Sequence, residues 1–434
     1  MYYFIGIKGS GMASLAEMLY DLGYEVMGSD LKKHFLTEDA LRQKGIKILE
    51  FNKDNIKDNY TVIIGNAFLE DFDEVVAARK NPTCKCYRYH EFLGELMKKY
   101  CSITISGSHG KTTTTTMAKT VFGNFFETGY LIGDGTGYLN KNSEYLCVEA
   151  CEYRNHFHAY YPDYAIITNI EIDHVDFFKS EEEYFNAYQE FIKNVKKACF
   201  YYGDDPWCQK LKFGNLEHYS YGLTANNDYH VENLHEENGN TSFDLYFKDI
   251  RKGSYNLPFI GRHLLIDALS VISLATHLKL DSQKIEDAFM HYHGPKRRYV
   301  VEEYKNAIFI DDYAHHPTEV KVTLETTRLR YPNRKIIAVF KPHRASRVLH
   351  FADDFKKALE IADKIYLIDF SSIDDKQDGT DIDITYLANK IDRAIILPED
   401  KNGAKMLAED KDGVFVFMSS KDIYNIANWT KEYL

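Results

Sequence analysis

Short apolar runs alternate with amphipathic stretches along most of this chain. Residues 2–7 form an apolar run, a glycine-rich turn follows, and Met12, Leu15, Ala16 and Leu19 then recur at helical spacing as far as Gly23. Residues 24–28 read as a second short strand ending at Ser29 and Asp30, and 61–65 as a third, followed by a helical pattern over 91–99. A new strand–turn–helix begins at 102–105 and continues as a helix from Thr113. Strand-like runs at 145–149 and 164–168 follow, then a helical pattern over 181–195. Phe243, Leu245 and Phe247 alternate within 220–256, which predicts strands of a side sheet, and 266–278 reads as a mostly apolar helix. A last run places strands at 307–310, 335–340, 364–368 and 413–418, with helices from Thr318, over 351–362 and after 418. Strands and helices alternate in all three regions, so the expected fold class is α/β with parallel, doubly wound sheets.

The chain has 434 residues. At roughly 100–200 residues per domain, that length predicts about three domains. The expected boundaries fall near residue 100, between two strand–turn–helix units, and in the basic turn 294–298, giving domains 1–100, 101–294 and 295–434. A hydrophobic fraction of 44% with 27% charged residues describes an ordinary folded chain. The formal net charge of -12 argues against binding to nucleic-acid polymers or anionic membranes, while leaving room for a local basic pocket. No apolar run approaches the roughly 20 residues a membrane span requires. The opening residues lack a basic stretch followed by an apolar one, so the expected location is the cytoplasm. Among the seven cysteines, neither Cys84 with Cys86 nor Cys147 with Cys151 has a partner pair at zinc-site spacing, which predicts reduced thiols.

Candidate chemistry concentrates where strands end. Gly107, Ser108, His109, Gly110, Lys111, Thr112 and Thr113 follow an apolar strand and open a helix, the context of a phosphate loop. Ile105 stands where the longer phosphate-loop pattern has its first glycine, so this is a shorter GxxGKT form. Lys111 would bring charge to the outer phosphates of ATP, and Thr112 a hydroxyl to Mg²⁺. Glu149 closes another apolar strand, and Asp173, His174 and Asp176 follow the next; carboxylate and imidazole there suit one or two Mg²⁺ ions. Gly9, Ser10 and Gly11 resemble a dinucleotide-type turn, with Ser14 in place of its third glycine and Asp30 near the position of a ribose-binding acid. In the last region, Asp311, Asp312, His315 and His316 follow one strand, and Lys341, His343, Arg344 and Arg347 follow the next. Together they predict a basic rim able to clamp phosphate or carboxylate.

The ordered motifs GIKGSGM, GSHGKTT, EACEYR, TNIEIDHVD, GPKRRY, DDYAHHPTE and KPHRASR resemble the Mur ligase family over essentially the whole chain. The resemblance implies a UDP-binding Rossmann-like domain, a central ATPase domain and a C-terminal Rossmann-like domain that closes over the site. It implies an ATP-dependent ligase in peptidoglycan precursor synthesis, joining L-alanine to the lactyl carboxylate of UDP-N-acetylmuramate through an acyl phosphate. By resemblance, Gly9, Ser10, Gly11, Met12, Asp30 and Asn66 fall at the UDP-sugar site. Residues 107–113, Asp267, Arg298 and Asp312 fall at ATP, and Thr112, Glu149 and His174 at Mg²⁺. Lys111, Glu149, His174, His316, Arg344 and Arg347 are expected to serve the chemistry, with His343 beside them, in a monomer or homodimer. The sequence departs from the family at Asp267, where an adenine-contacting Asn is usual; an ionised Asp only accepts hydrogen bonds. It departs again at 370–375 and 418–422, near the expected amino-acid site. Another amino acid, a peptide or a different UDP-sugar as substrate, or nucleotide binding without turnover, stays open on these residues.

Overall fold

A computed structural model describes residues 1–370, 380–421 and 423–434. The departures at Ser371–Asp375 and at Asp422 lie outside the described residues. The chain forms two compact units by its internal contacts: residues 1–171 with 182–293, and residues 172–181 with 294–434.

The first unit contains two sheets. Strands β1 (Tyr2–Ile5), β2 (Val26–Asp30), β3 (Lys47–Glu50), β4 (Thr61–Ile64) and β5 (Lys85–Arg88) form an all-parallel sheet in the order β3-β2-β1-β4-β5. The order reverses between β1 and β4, which leaves a crevice at their carboxyl ends. The helix Ser10–Asp21 buries Met12, Leu15, Ala16 and Leu19, the apolar stripe its spacing predicts.

The second sheet contains β6 (Cys101–Ser106), β7 (Thr128–Leu131), β8 (Gly137–Tyr138), β9 (Tyr145–Glu149), β10 (Tyr164–Ile167), β11 (Ala198–Tyr202), β12 (Glu217–Gly222), β13 (Tyr229–Glu237), β14 (Asn240–Phe247) and β15 (Ile250–Leu257). Its order is β15-β14-β13-β12-β11-β10-β6-β9-β7-β8. The strands from β12 through β10 and β6 to β7 are parallel, so their carboxyl ends share one edge. The residue 229–257 strands do not form a separate side sheet. They extend this one, joined by a short parallel pairing of Tyr221 and Gly222 with Tyr229 and His230 and then continuing antiparallel. Helices Lys111–Gly123 and Arg262–His277 contribute Met117, Val121, Leu269 and Ile272 to the core beneath it.

The second unit holds a six-stranded sheet of β16 (Val300–Tyr304), β17 (Ala307–Asp312), β18 (Ile336–Phe340), β19 (Lys364–Leu367), β20 (Ala394–Ile396) and β21 (Val414–Met418). The order is β16-β17-β21-β18-β19-β20, parallel except for the edge strand β16. Apolar cores cover both faces, which is why β18 and β21 read as unbroken apolar runs. Ile172 and Val175, from the short excursion 172–181, pack against one of these cores. All seven cysteines are free thiols. No helix among the described residues is long and apolar enough to cross a membrane.

Candidate functional site

The phosphate loop joins β6 to the helix Lys111–Gly123. Gly110 caps that helix in the left-handed region (φ 80°), and a Cβ there would lie 2.5 Å from Asp267 Oδ1. Any side chain would therefore be strained and would meet the helix Arg262–His277. The loop is held from neighbouring strand ends. Ser108 Oγ donates to Glu171 O (2.6 Å) and accepts from Glu171 N (2.8 Å), with Tyr184 OH at 3.0 Å. His109 N donates to Asn169 Oδ1 (3.0 Å), and His109 Nε2 lies 3.0 Å from Glu171 Oε2.

Lys111 turns its ammonium back over the loop, onto the carbonyls of Gly107 (2.5 Å) and Ser108 (3.1 Å) and onto Glu152 (3.2 Å). Burial works against this charge, but Glu152 and then Glu149 outweigh it and its pKa is raised. Thr112 Oγ1 donates to Glu149 Oε1 (3.1 Å), and Gly133 N donates to Glu149 Oε2 (2.8 Å). A hydroxyl and a carboxylate thus meet at a helix N-terminus. That hard-oxygen pair fits Mg²⁺, and the fit comes from the chemistry of the donors. Sequence reasoning gave Glu152, Glu171, Asn169 and Tyr184 no role. Glu152 stood inside the EACEYR motif, just beyond a buried strand, without a role of its own.

At the first sheet, Gly9 caps the helix Ser10–Asp21, and Asn66 follows β4 across the β1–β4 crevice. Gly9, Ser10, Gly11 and Asn66 therefore converge on the switch point. Met12 is instead a core side chain. Asp30 spends its carboxylate on backbone, accepting from Lys8 N (2.8 Å) and Leu31 N (2.7 Å), which locks the turn. Lys8 is buried with Glu38 as its ion-pair partner and donates to the carbonyls of Leu31 and Lys33.

In the second unit, Arg347 is buried and reaches Asp173 Oδ1 through Nε (3.1 Å) and Nη2 (2.5 Å). Burial would raise the pKa of Asp173; Arg347, followed by His174, His316 and His315, holds it well below the carboxylate range instead. Arg344 (φ 70°) pairs with Asp176. His174, expected beside Thr112 and Glu149, belongs to this unit. His316 caps the helix Pro317–Arg330, and Glu319 closes the capping box. Asp312 is buried, and burial pushes its carboxyl up to about 6 against the pull of Arg298; it accepts from Ala314 N (2.7 Å) and Tyr299 N (2.9 Å). Arg298 lies 4.8 Å over the Tyr313 ring and 3.6 Å from Glu319. His343 is pushed down to about 2 by burial and by the neighbouring cations Lys421, Arg347 and Arg344, so it stays neutral.

Three family models match successive parts of the chain: "Mur ligase family, catalytic domain" over residues 1–101, "Mur ligase middle domain" over 105–275 and "Mur ligase, glutamate ligase domain" over 296–427. A UDP-N-acetylmuramate–L-alanine ligase from Lactococcus lactis subsp. cremoris is 42% identical over 429 residues, 98% of this chain and 96% of the relative. The chain belongs to the Mur ligase family. This Mur ligase also shares its fold with the UDP-N-acetylmuramate-alanine ligase of Thermotoga maritima (TM-score 0.81, 24% identity, 100% of this chain and 98% of that one). A murein peptide ligase from Psychrobacter arcticus aligns at a TM-score of 0.76 with 20% identity, over 100% of this chain and 98% of that one. As a Mur ligase, the chain makes sense of two features. A turn without the first Walker glycine still opens a helix whose N-terminus suits an anion, and all three sheets end in polar residues along their carboxyl edges.

Proposed function

We propose that this Mur ligase is a UDP-N-acetylmuramate–L-alanine ligase acting in the cytoplasm with ATP and Mg²⁺. The observation that carries the reading is the near-full-length 42% identity to an enzyme of that name, on a chain whose phosphate loop is intact. A carboxylate is a poor acyl donor, so the lactyl carboxylate first takes the γ-phosphoryl group of ATP, releasing ADP. The amine of L-alanine then attacks the acyl carbon; phosphate leaves, the amine loses a proton and the amide remains.

The chain's own groups suit these steps. Lys111 sits where its ammonium can exchange the carbonyls of Gly107 and Ser108 for phosphate oxygens, and the helix N-terminus behind it favours anions. Thr112 and Glu149 would hold Mg²⁺, which when bound neutralises phosphate charge. The switch point at Gly9, Gly11 and Asn66 would seat the UDP-sugar. His343, kept neutral, and Arg344 at the carboxyl edge of β18 would orient the amino acid.

The test is product formation from ATP, Mg²⁺ and UDP-N-acetylmuramate with L-alanine, L-serine or glycine, read by phosphate release and mass spectrometry. UDP-N-acetylmuramoyl-L-alanine as the main product is expected. No stimulation of phosphate release by any amino acid would refute the proposal.

A further inference from the structure

Three polar side chains near the carboxyl edge of the first sheet form a cluster with no role assigned above beyond the placement of Asn66. Asn66 follows β4, His90 lies in the helix Tyr89–Met97 just after β5, and His156 comes from the short helical segment Tyr153–Ala159. Arg154 and Asn155, immediately before His156, both hold left-handed backbone (φ 52° and 58°). The amide of Asn66 bridges the two imidazoles through their Nδ1 atoms, at 3.2 Å to His156 and 3.0 Å to His90. The rings stack with centroids 4.6 Å apart and planes 25° apart.

A primary amide has one acceptor side and one donor side. The imidazole facing the amide oxygen carries its proton on Nδ1, so its Nε2 is a bare acceptor. The imidazole facing the amide nitrogen accepts at Nδ1, so its proton sits on Nε2. Asn66 thus forces opposite tautomers on a stacked pair. Exchanging the oxygen and nitrogen of the amide swaps the two rings' roles and leaves the outcome the same. Neither Nε2 has a protein hydrogen-bond partner among the described residues, and neither is sealed in the interior. Burial, with His90 and Arg154, pushes His156 down to about 4. Burial also lowers His90, helped by Arg88 and opposed by Glu91. Tyr153 meets His156 edge-on. The cluster therefore offers one neutral donor and one neutral acceptor side by side at neutral pH.

We propose that His90, Asn66 and His156 form a hydroxyl-recognition element that selects the sugar of a sugar nucleotide, one imidazole donating to a hydroxyl oxygen and the other accepting a hydroxyl proton. A diphosphate offers only acceptor oxygens at neutral pH and leaves the acceptor imidazole unmatched, so the pair discriminates sugar from phosphate. Its place at the edge shared by β4 and β5 is where ligands of open α/β sheets lie. The inference rests on the sugar-nucleotide reading above.

The test is equilibrium binding of UDP-N-acetylmuramate and of UDP to the full-length protein, for the native chain and for His156→Phe and His90→Phe, which preserve a flat ring. At least tenfold weaker binding of UDP-N-acetylmuramate, with UDP affinity within threefold of native, places the contact on the amino sugar. Equal weakening of both ligands places the contact on the uridine diphosphate they share and overturns the inference. Unchanged affinity for both ligands in both variants overturns the inference. So does a parallel loss of affinity for a non-hydrolysable ATP analogue, which would mark a structural role. Failure of the native chain to bind either uridine compound would instead overturn the functional reading beneath it.

Discussion

Replacing Arg347 by Met tests whether its guanidinium is first of all a structural counter-charge. Arg347 is 3% exposed and Asp173 6% exposed, and both of the guanidinium contacts fall on one carboxylate oxygen. Removing the cation leaves that carboxylate in the interior with the amide of His174 (2.6 Å) on the same oxygen. Breaking a buried pair in this way costs about 3–5 kcal/mol. A unit of roughly 150 residues shifts by about 2–4 °C per kcal/mol, so its unfolding should fall by about 6–20 °C. The pH dependence fixes the cause. Asp173 has a depressed folded pKa, so its stabilisation is present above the unfolded value of about 3.9 and is lost as pH falls through the folded one. In the variant, desolvation loses its strongest opponent and the Asp173 carboxyl moves upward. The variant's penalty is then greatest at neutral pH and shrinks on acidification. Calorimetry of the full chain at several pH values, with hydrogen exchange over Val414–Met418 to assign the transition, measures both. Adding Asp173→Asn should recover more than half of the loss. A penalty under about 1 kcal/mol, or one that does not change with pH, refutes the argument.

Lys111→Met should lower kcat by about 10²–10³ with the KM for the UDP-sugar within a few fold, since it removes charge stabilisation made in the transition state; a kcat within tenfold of native contradicts the phosphate-loop assignment. Glu149→Gln removes the anionic half of the Thr112–Glu149 pair and should raise the half-saturating Mg²⁺ concentration at least tenfold, read in steady-state assays at fixed ATP. Asp267→Asn should lower the KM for ATP several-fold, because the carboxylate of Asp267 lies against Gly110 of the anion-binding loop; an unchanged or higher KM places that charge outside the nucleotide's field.

The strand ends that carry the site were legible because a buried parallel strand is a short apolar run bounded by turn residues. The expected 145–149 and observed Tyr145–Glu149 coincide for that reason. The strand–turn–helix around residues 107–113 was legible because it is local in sequence. What escaped was non-local. Alternation at Phe243, Leu245 and Phe247 announces strands and says nothing of partners, so their joining the central sheet through Tyr221 and Gly222 was hidden. Residues 173–176 follow β10 and read naturally with the phosphate loop, yet their ion-pair partners Arg344 and Arg347 lie far along the chain. Ser14, noted only as a missing glycine, sets its hydroxyl between two acceptors, Ser10 O (3.0 Å) and Ile132 O (3.1 Å). The backbone beside it meets Gly137, where a Cβ would stand 2.1 Å from Ser14 O. A side chain is welcome at 14 because the close approach is relieved at 137.

A common logic joins the basic groups of this acidic chain. Lys8 pairs with Glu38, Lys111 with Glu152, Arg344 with Asp176 and Arg347 with Asp173, each at or near the carboxyl edge of a sheet. Desolvating a lone cation is costly, so each requires an internal anion to remain folded in the absence of ligand. The net charge of -12 is compatible with local anion binding for the same reason: part of the acidic excess is already engaged with these four cations. The four pairs are not equivalent. Lys8 and Arg347 are sealed on both sides, and a ligand could use them only by breaking structure. Lys111 is different, because two of its three contacts are neutral carbonyls of the loop itself. Phosphate oxygens can replace those carbonyls while Glu152 keeps its hold. The ammonium is thereby held in position and charged, so that a nucleotide bound there, as proposed, would leave little reorganisation for the moment of reaction.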